Sequence, residues 1–296
     1  MKATMHRYIL HNESIRDAEE PCLSPGQVGL LAGWGVFSTL RVCDGVLFEW
    51  ERHYARMTRD ALNLRVPFPN DSAWMQQRLL ELVQANNAPD ATLRVVVIRN
   101  QGSAWQGSVA REFDLLAMMT TLTAWGNEVR LGVVRQARHS LSRFAGTKVT
   151  SWGFNLAWYE EAHLNGFDEV VLLDEQDRVS ECTSANIFAA FGAEVWTPPL
   201  SSGCLPGVTR DLLLNEIRSP GLRVSEHHLT LADLHDADEV FITSTTRDVL
   251  PVREIDGRKV GGVPRASATL AAALRAYISQ YVATHKTSSY TVTQCI

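Results

Sequence analysis

Two strongly β-prone runs, LRVVVIR (93–99) and FDLLAMMTTL (113–122), follow two segments whose apolar residues recur at helical spacing, HYARMTRDALNL (53–64) and SAWMQQRLLELVQANN (72–87). Strand side chains alternate with a period of two and helical ones with a period of 3.6, so a chain carrying both patterns in turn must build mixed structure. With the shorter strand-like runs RYILHN and GVLFEW, the first part reads as an α+β domain over 1–122. TAWGNEV places a Gly-Asn breaker after a strand and is read as the connector, 123–129.

Beyond it, VRLGVVRQ and DEVVLLD read as strands around a helix, NLAWYEEAHLNG, closed by Gly166. RVSECTSANIFAAF and AEVWTPP have the look of hairpin strands, and LPGVTRDLLLNEI passes from a Pro-Gly loop into a helix. The strand DEVFITS runs into a Thr-rich turn before the C-terminal helix ASATLAAALRAYISQYVAT. This gives a second domain over 130–285 and a loose tail over 286–296.

The length of 296 residues suits about two domains. A net charge of -5 without a basic run offers a phosphate backbone no attractive field, which argues against nucleic-acid binding. No apolar run approaches the roughly 20 residues of a membrane span, and the N-terminus lacks a signal-peptide pattern, so a cytoplasmic location is expected. Five scattered cysteines without a CxxC read as reduced thiols. The His227-His228 pair with His235 and Asp236 fits no standard metal spacing, and no metal is expected. Signatures for dinucleotides, P-loops, α/β-hydrolases and zincins are absent.

Only four of the 28 basic residues are lysines: Lys2 and Lys286 near the termini, Lys259 after a DG turn, and Lys148 alone in the interior of the chain. Lysine is the amine that forms Schiff bases when its pKa is lowered, which makes Lys148 a candidate, although a solvated surface lysine is the commoner case. In LPGVTR (Leu205 to Arg210) a loop opens a helix, aiming free backbone N–H groups and the Thr209 hydroxyl at whatever sits before it. In TSTTRD (243–248) consecutive hydroxyls follow a strand. Each is weak alone, since a Thr near a helix start is usually a cap and a hydroxyl-rich turn usually a turn. Glu181, framed by small polar residues in SECTSANIF, is suited to a protonated ring nitrogen or is an exposed hairpin carboxylate. An amine, two anion loops and a carboxylate are together the parts a pyridoxal phosphate site needs.

In order and spacing, GWGVFSTLRVCDG, HYARM, GTK, FDEVVLLDEQDRVSECTSANIF, VWTPPLSSGCLPGVTRD and DEVFITSTTRDVLPVREIDG resemble the class IV, fold-type IV pyridoxal phosphate enzymes. These comprise branched-chain aminotransferases, D-amino acid aminotransferases and 4-amino-4-deoxychorismate lyases, and the resemblance spans nearly the whole chain. It implies an α+β, two-domain fold of the D-amino acid aminotransferase type, with a smaller N-terminal domain and a larger C-terminal one built as a pseudo-barrel of strands and helices. It also implies a homodimer, with the cofactor in a cleft between domains and a neighbouring subunit closing the substrate site. The resemblance carries the cofactor lysine onto Lys148, the acid facing the pyridine nitrogen onto Glu181 and the phosphate-binding arginine onto Arg56 of HYARM. It carries the phosphate contacts of LPGVTR onto Val208 and Thr209, with Leu205 opening that cofactor loop, and those of TSTT onto Thr245 and Thr246.

The chain departs from the family at several substrate positions. Trp152 lies where branched-chain enzymes usually have a tyrosine after the lysine. GWGVFST puts Trp34 and Ser38 at the acidic positions of GDGVFET. The lyases resemble this chain in the hydroxyls at Ser38 and Thr39 and in an arginine ending LRVVVIR, so Arg99 is a candidate for a substrate carboxylate, with Arg94 competing. Selectivity rests on a few such groups, whereas cofactor chemistry does not. The leading reading is an aminotransferase moving the amino group of a small amino acid to a 2-oxo acid through a Schiff base on Lys148. The second is a lyase releasing pyruvate and 4-aminobenzoate, and the third a non-catalytic paralogue, against which the joint presence of Lys148, Glu181 and Arg56 argues.

Overall fold

The computed structural model describes residues 3–102, 109–263 and 265–289. By its contacts the chain divides into two compact units, Met1–Ala124 with Thr147–Trp152 and Ile278–Ile296, and Trp125–Gly146 with Gly153–Tyr277.

The first unit contains β1 (Tyr8–His11), β2 (Ser14–Asp17), α1 (Val28–Ala32), β3 (Gly35–Cys43), β4 (Val46–Leu47), α2 (Trp50–Leu64), α3 (Ser72–Ala85), β5 (Ala91–Arg99) and β6 (Phe113–Thr120). Its strands form an antiparallel sheet in the order β2-β1-β6-β5-β3-β4. Alternation sorts β5 and β3 into two faces. Leu93, Val95 and Val97 join Val36, Leu40 and Val42 in a core completed by Met57 and Ala61 of α2 and by Met75, Leu79 and Leu82 of α3. Arg94 and Phe37, at the intervening positions, take the opposite face. Each fully buried Leu or Met contributes about 1.5–3 kcal/mol, and this stripe is what pins α2 and α3 to the sheet.

Only Val46–Leu47 of GVLFEW pairs as a strand. Glu49 turns the chain at φ 55°, and Trp50, 1% exposed, opens α2 three residues before the expected start. Placing the large indole in the core outweighs the β propensity of the run.

The second unit contains β7 (Val129–Val134), α4 (Gly153–Leu164), β8 (Glu169–Leu173), β9 (Val179–Cys182), β10 (Asn186–Phe191), β11 (Glu194–Thr197), α5 (Val208–Asp211), β12 (Arg223–Glu226), α6 (Leu231–Asp236), β13 (Glu239–Ser244), β14 (Asp248–Ile255) and β15 (Arg258–Lys259). A final helix, α7 (Ala266–Ser289), starts in this unit and ends in the first. The sheet runs β12-β11-β10-β13-β14-β7-β8-β9, with β15 on β14. It is mixed: β11 and β12, β14 and β7, and β7 and β8 are parallel pairs.

β9 lies at one end of that path, yet a tight turn in which Cys182 N donates to Ala185 O (2.8 Å) leads straight into β10, well along it. A sheet tied in this way must curl, and Leu131, Val171, Val179, Ile187, Ile242 and Leu250 fill the inside of the half-barrel with Leu234 of α6. On the other face Phe188 stacks on Phe241 at 5.1 Å.

LPGVTRDLLLNEI forms α5 and passes without a break into a π turn over Leu212–Glu216. The helix α7 continues to Ser289, into the segment expected as a tail from 286, because Lys286 pairs with Asp44 and Tyr281 packs on Phe48 at 5.2 Å. Residues 290–296 of that segment lie outside the described residues.

Candidate active site

In the first unit, β3 and α2 bring Ser38 and Arg56 together. Arg56 Nη2 donates to Ser38 Oγ at 2.8 Å, and Ser38 Oγ lies 2.7 Å from His53 Nδ1, one helical turn from Arg56. All three are buried. Burial, then the Arg56 and Lys148 cations, hold the His53 pKa well below its ordinary value, so the imidazole is neutral. His53 Nε2 has no hydrogen-bond partner among the described residues. Arg56 Nη2 also lies 3.4 Å from His53 Nδ1, and a guanidinium can only donate, so Nδ1 is the accepting nitrogen of the ring. Ser38 Oγ then accepts from Arg56 and donates its own hydrogen to His53 Nδ1. Burial, opposed by Asp60 and reinforced by Arg59, brings Arg56 down to about 10, which still leaves it a cation at neutral pH.

The strip carrying Lys148 extends the edge of β3. Phe37 N donates to Lys148 O at 3.1 Å, Val149 bridges Val36, and Thr150 N donates to Gly35 O at 3.0 Å. On its other side Lys148 N donates to Asp60 Oδ2 at 3.0 Å. Lys148 Nζ lies 4.5 Å from the centroid of the Phe37 ring, the Arg94 guanidinium carbon lies 4.2 Å from the same centroid, and Trp152 meets that ring edge-on at 6.1 Å. Burial lowers the Arg94 pKa. Among the described residues no carboxylate pairs with Arg94. Arg99 has other partners: it stacks 4.4 Å over Trp34 and donates to the carbonyls of Arg65 and Gln101.

In the second unit, Glu181 is buried on β9 with both oxygens engaged. Oε1 accepts from Arg138 Nε at 3.0 Å, and Oε2 accepts from Leu205 N at 2.9 Å. Arg138 also reaches Asn155 Oδ1 at 3.3 Å, while Asn155 Nδ2 donates to Thr183 O at 2.8 Å. Asn186 Nδ2 holds Leu205 O at 2.9 Å, and a Cβ on Gly207 would stand 2.1 Å from Asn186 Oδ1, so any side chain there would push the Asn186 amide out of its bond to this loop. No side chain caps the helix start at Gly207, and Val208 and Thr209 open it. Thr245 and Thr246 lie in the turn between β13 and β14, where Thr246 Oγ1 is 3.4 Å from Ser244 Oγ. Behind this turn Arg247 stacks 3.9 Å over Trp125, pairs with buried Glu169 at 3.1 Å and donates to Ser184 O at 3.2 Å.

Sequence reasoning missed His53, Asp60, Arg138, Asn155, Arg247 and Glu169. Arg247 was signalled, as the charge that closes the hydroxyl run TSTT. The donor set suits pyridoxal phosphate. The first unit supplies a buried cation in Arg56 and an amine in Lys148; the second supplies backbone N–H groups at Val208 and Thr209, hydroxyls at Thr245 and Thr246 and a carboxylate in Glu181, the chemical types that a phosphate, an aldehyde and a ring nitrogen call for.

The model of the amino-transferase class IV family matches residues 35–255. A protein of Methanocaldococcus jannaschii, named provisionally as a branched-chain-amino-acid aminotransferase, is 33% identical over 85% of this chain and 89% of its own. The D-alanine aminotransferase of Bacillus licheniformis is 29% identical over 86% and 91%. Among solved structures, the branched-chain aminotransferase of Thermoproteus uzoniensis with norvaline superposes with a TM-score of 0.84 at 24% identity, covering 94% of this chain and 97% of that one. A Legionella pneumophila chain named provisionally as a 4-amino-4-deoxychorismate lyase superposes at 0.80 and 22% identity, covering 88% and 97%. These two show the α+β fold of the fold-type IV enzymes. Solved neighbours include forms with pyridoxal phosphate and pyridoxamine phosphate bound. The chain belongs to the class IV aminotransferases, a family of pyridoxal phosphate-dependent enzymes.

Proposed function

We propose that the protein is an aminotransferase that moves the amino group of a small amino acid to a 2-oxo acid, with Lys148 as the lysine that carries the cofactor. The observation that carries this reading is the pairing of the Lys148 amine and the Arg94 guanidinium on one aromatic ring, at 4.5 and 4.2 Å from the Phe37 centroid. An amino acid brings both an amine to be exchanged and a carboxylate to be held, and Arg94 is a desolvated cation that lacks a carboxylate among its described neighbours. Bound pyridoxal phosphate supplies an aldehyde that condenses with amines and a ring that takes up the electrons released at Cα.

The residues act around that chemistry. Arg56, Val208, Thr209, Thr245 and Thr246 bind the phosphate, and Leu205 keeps Glu181 in place by donating its N–H. Glu181 holds a proton on the ring nitrogen, Lys148 moves the proton at Cα, Arg94 orients the substrate carboxylate, and Trp152 limits the pocket. The enzyme works as a cytoplasmic homodimer; the described cysteines, Cys22, Cys43, Cys182 and Cys204, are free thiols, which suits a reducing compartment.

Ser38 favours a second reading. It puts a neutral hydroxyl where GDGVFET has a carboxylate that would repel an anionic substrate, which suits a lyase acting on aminodeoxychorismate.

The test is the visible absorption of the protein reconstituted with pyridoxal phosphate, before and after separate additions of D- and L-amino acids and aminodeoxychorismate. Conversion to the pyridoxamine form by one enantiomer supports the aminotransferase and fixes its stereochemistry. Release of pyruvate and 4-aminobenzoate with recovery of the original band supports the lyase. No cofactor band on reconstitution would sink both readings and leave a non-catalytic member of the family.

A further inference from the structure

Asp60 lies on α2 one turn beyond Arg56, and its side chain is 1% exposed. A carboxylate taken out of water needs compensating donors, and two among the described residues are different in kind. Arg59, its neighbour on the helix, pairs with Oδ1. The other donor is the backbone N–H of Lys148, 88 residues away, at 3.0 Å on Oδ2. The same residue is held from its other side, where Lys148 O accepts from Phe37 N at 3.1 Å. A charge-assisted bond from α2 and a ladder bond from β3 thus fix the main chain of one residue between a helix and a strand. That matters because lysine has four rotatable side-chain bonds. Its amine can be kept near a chosen point, here 4.5 Å from the Phe37 centroid, only if Cα is immobile.

We propose that Asp60 is a positioning residue for Lys148, its buried carboxylate capturing the lysine's backbone N–H so that the amine is presented at a fixed place beside Phe37. The proposal rests on the reading of Lys148 as the cofactor lysine. It makes α2 a two-purpose element, with Arg56 facing the phosphate and Asp60 setting the lysine.

The experiment measures how fast the full-length apoprotein captures pyridoxal phosphate covalently. Samples are quenched with borohydride at intervals, and the phosphopyridoxyl group is located by peptide mass spectrometry. Asp60→Leu removes the acceptor, and Asp60→Asn keeps an amide oxygen for the Lys148 N–H. Asp71→Ala, which removes the cap of α3 at Trp74 N, serves as a variant weakened elsewhere in the same unit. Asp60→Leu is expected to slow labelling of Lys148 about tenfold or more. Asp60→Asn should recover most of that loss, and Asp71→Ala should label at the wild-type rate. Should Asp60→Leu fail to fold, Asp60→Ser, too short to span to the peptide, takes its place with the same expected loss. Wild-type labelling rates in the Leu and Ser variants, or equal slowing in Asp71→Ala, would overturn the role of Asp60 while leaving Lys148 as the labelled residue. Labelling of wild type at another lysine would overturn both.

Discussion

Arg94 and Arg99 both belong to β5, yet they meet different surroundings. One lies over Phe37 without a described carboxylate, and the other is spent on two carbonyls and the Trp34 ring. Arg94→Met is therefore expected to raise KM for the amino acid and lower kcat/KM about 10- to 100-fold while leaving the cofactor band intact. Arg99→Met should change kcat/KM little; the reverse order would assign the substrate carboxylate to Arg99. Lys148→Ala should abolish turnover, and Glu181→Gln should keep the cofactor while slowing cleavage at Cα, measured by exchange of the Cα hydrogen. At this scale a sequence singles out residues that are unusual in themselves, as Lys148 is among so few lysines. It is silent where a residue matters through its partner. Asp60 and Arg138 lie 88 and 43 residues from the groups they hold, and no local pattern announces such pairs.

At the level of elements, the strands and helices with strong periodicity were legible and their ends were not. The pattern placed α2 in the right segment, but burial of Trp50 moved its start, and Arg247, which stands out as the charge closing TSTT, pairs with Glu169, 78 residues away, beyond any local pattern. The loop before α5 is the element most exposed to a small change. Gly207→Ala would drive a methyl group into Asn186 Oδ1, and the amide would have to turn away and give up its hydrogen bond to Leu205 O. Weaker retention of pyridoxal phosphate on dialysis, with secondary structure by circular dichroism unchanged, is the expected outcome. Retention equal to wild type would remove this loop from the cofactor site. The α2 segment also carries a pH signature. Unfolded His53 takes up a proton near 6.5, whereas the buried ring does so only well below that value, so the unfolded state binds more protons between the two. Stability is fully present above 6.5 and falls as the pH drops through it, with a slope of at most about 1.4 kcal/mol per pH unit from this group. Denaturant midpoints of wild type and His53→Gln across pH 5 to 8 would show it, and parallel curves would refute it.

For the whole molecule, the order of motifs carried the family and the fold class, because a site assembled from many short segments constrains their sequence order even when identity is low. Assembly is a separate matter. Phe154, Leu156 and Leu164 of α4 are exposed apolar side chains, which a second subunit would shield. Light scattering on the purified protein is expected to give twice the 32.9 kDa of one chain. A monomer that retains full activity would discard the dimer.

The strip that completes the edge of β3 is only residues 147–152, and the chain reaches it after leaving the first unit at 124/125, returning at 146/147 and leaving again at 152/153. During synthesis, residues 3–124 therefore emerge with the amide of Phe37 unsatisfied and a sheet edge open, and they stay so until Lys148 arrives. An open edge is a template for pairing with another chain, so a gene fragment ending at residue 124 should yield aggregates rather than a small folded domain. The lysine strip doubles as the seal on that edge, and a nascent chain has its amine in place only once the edge has closed.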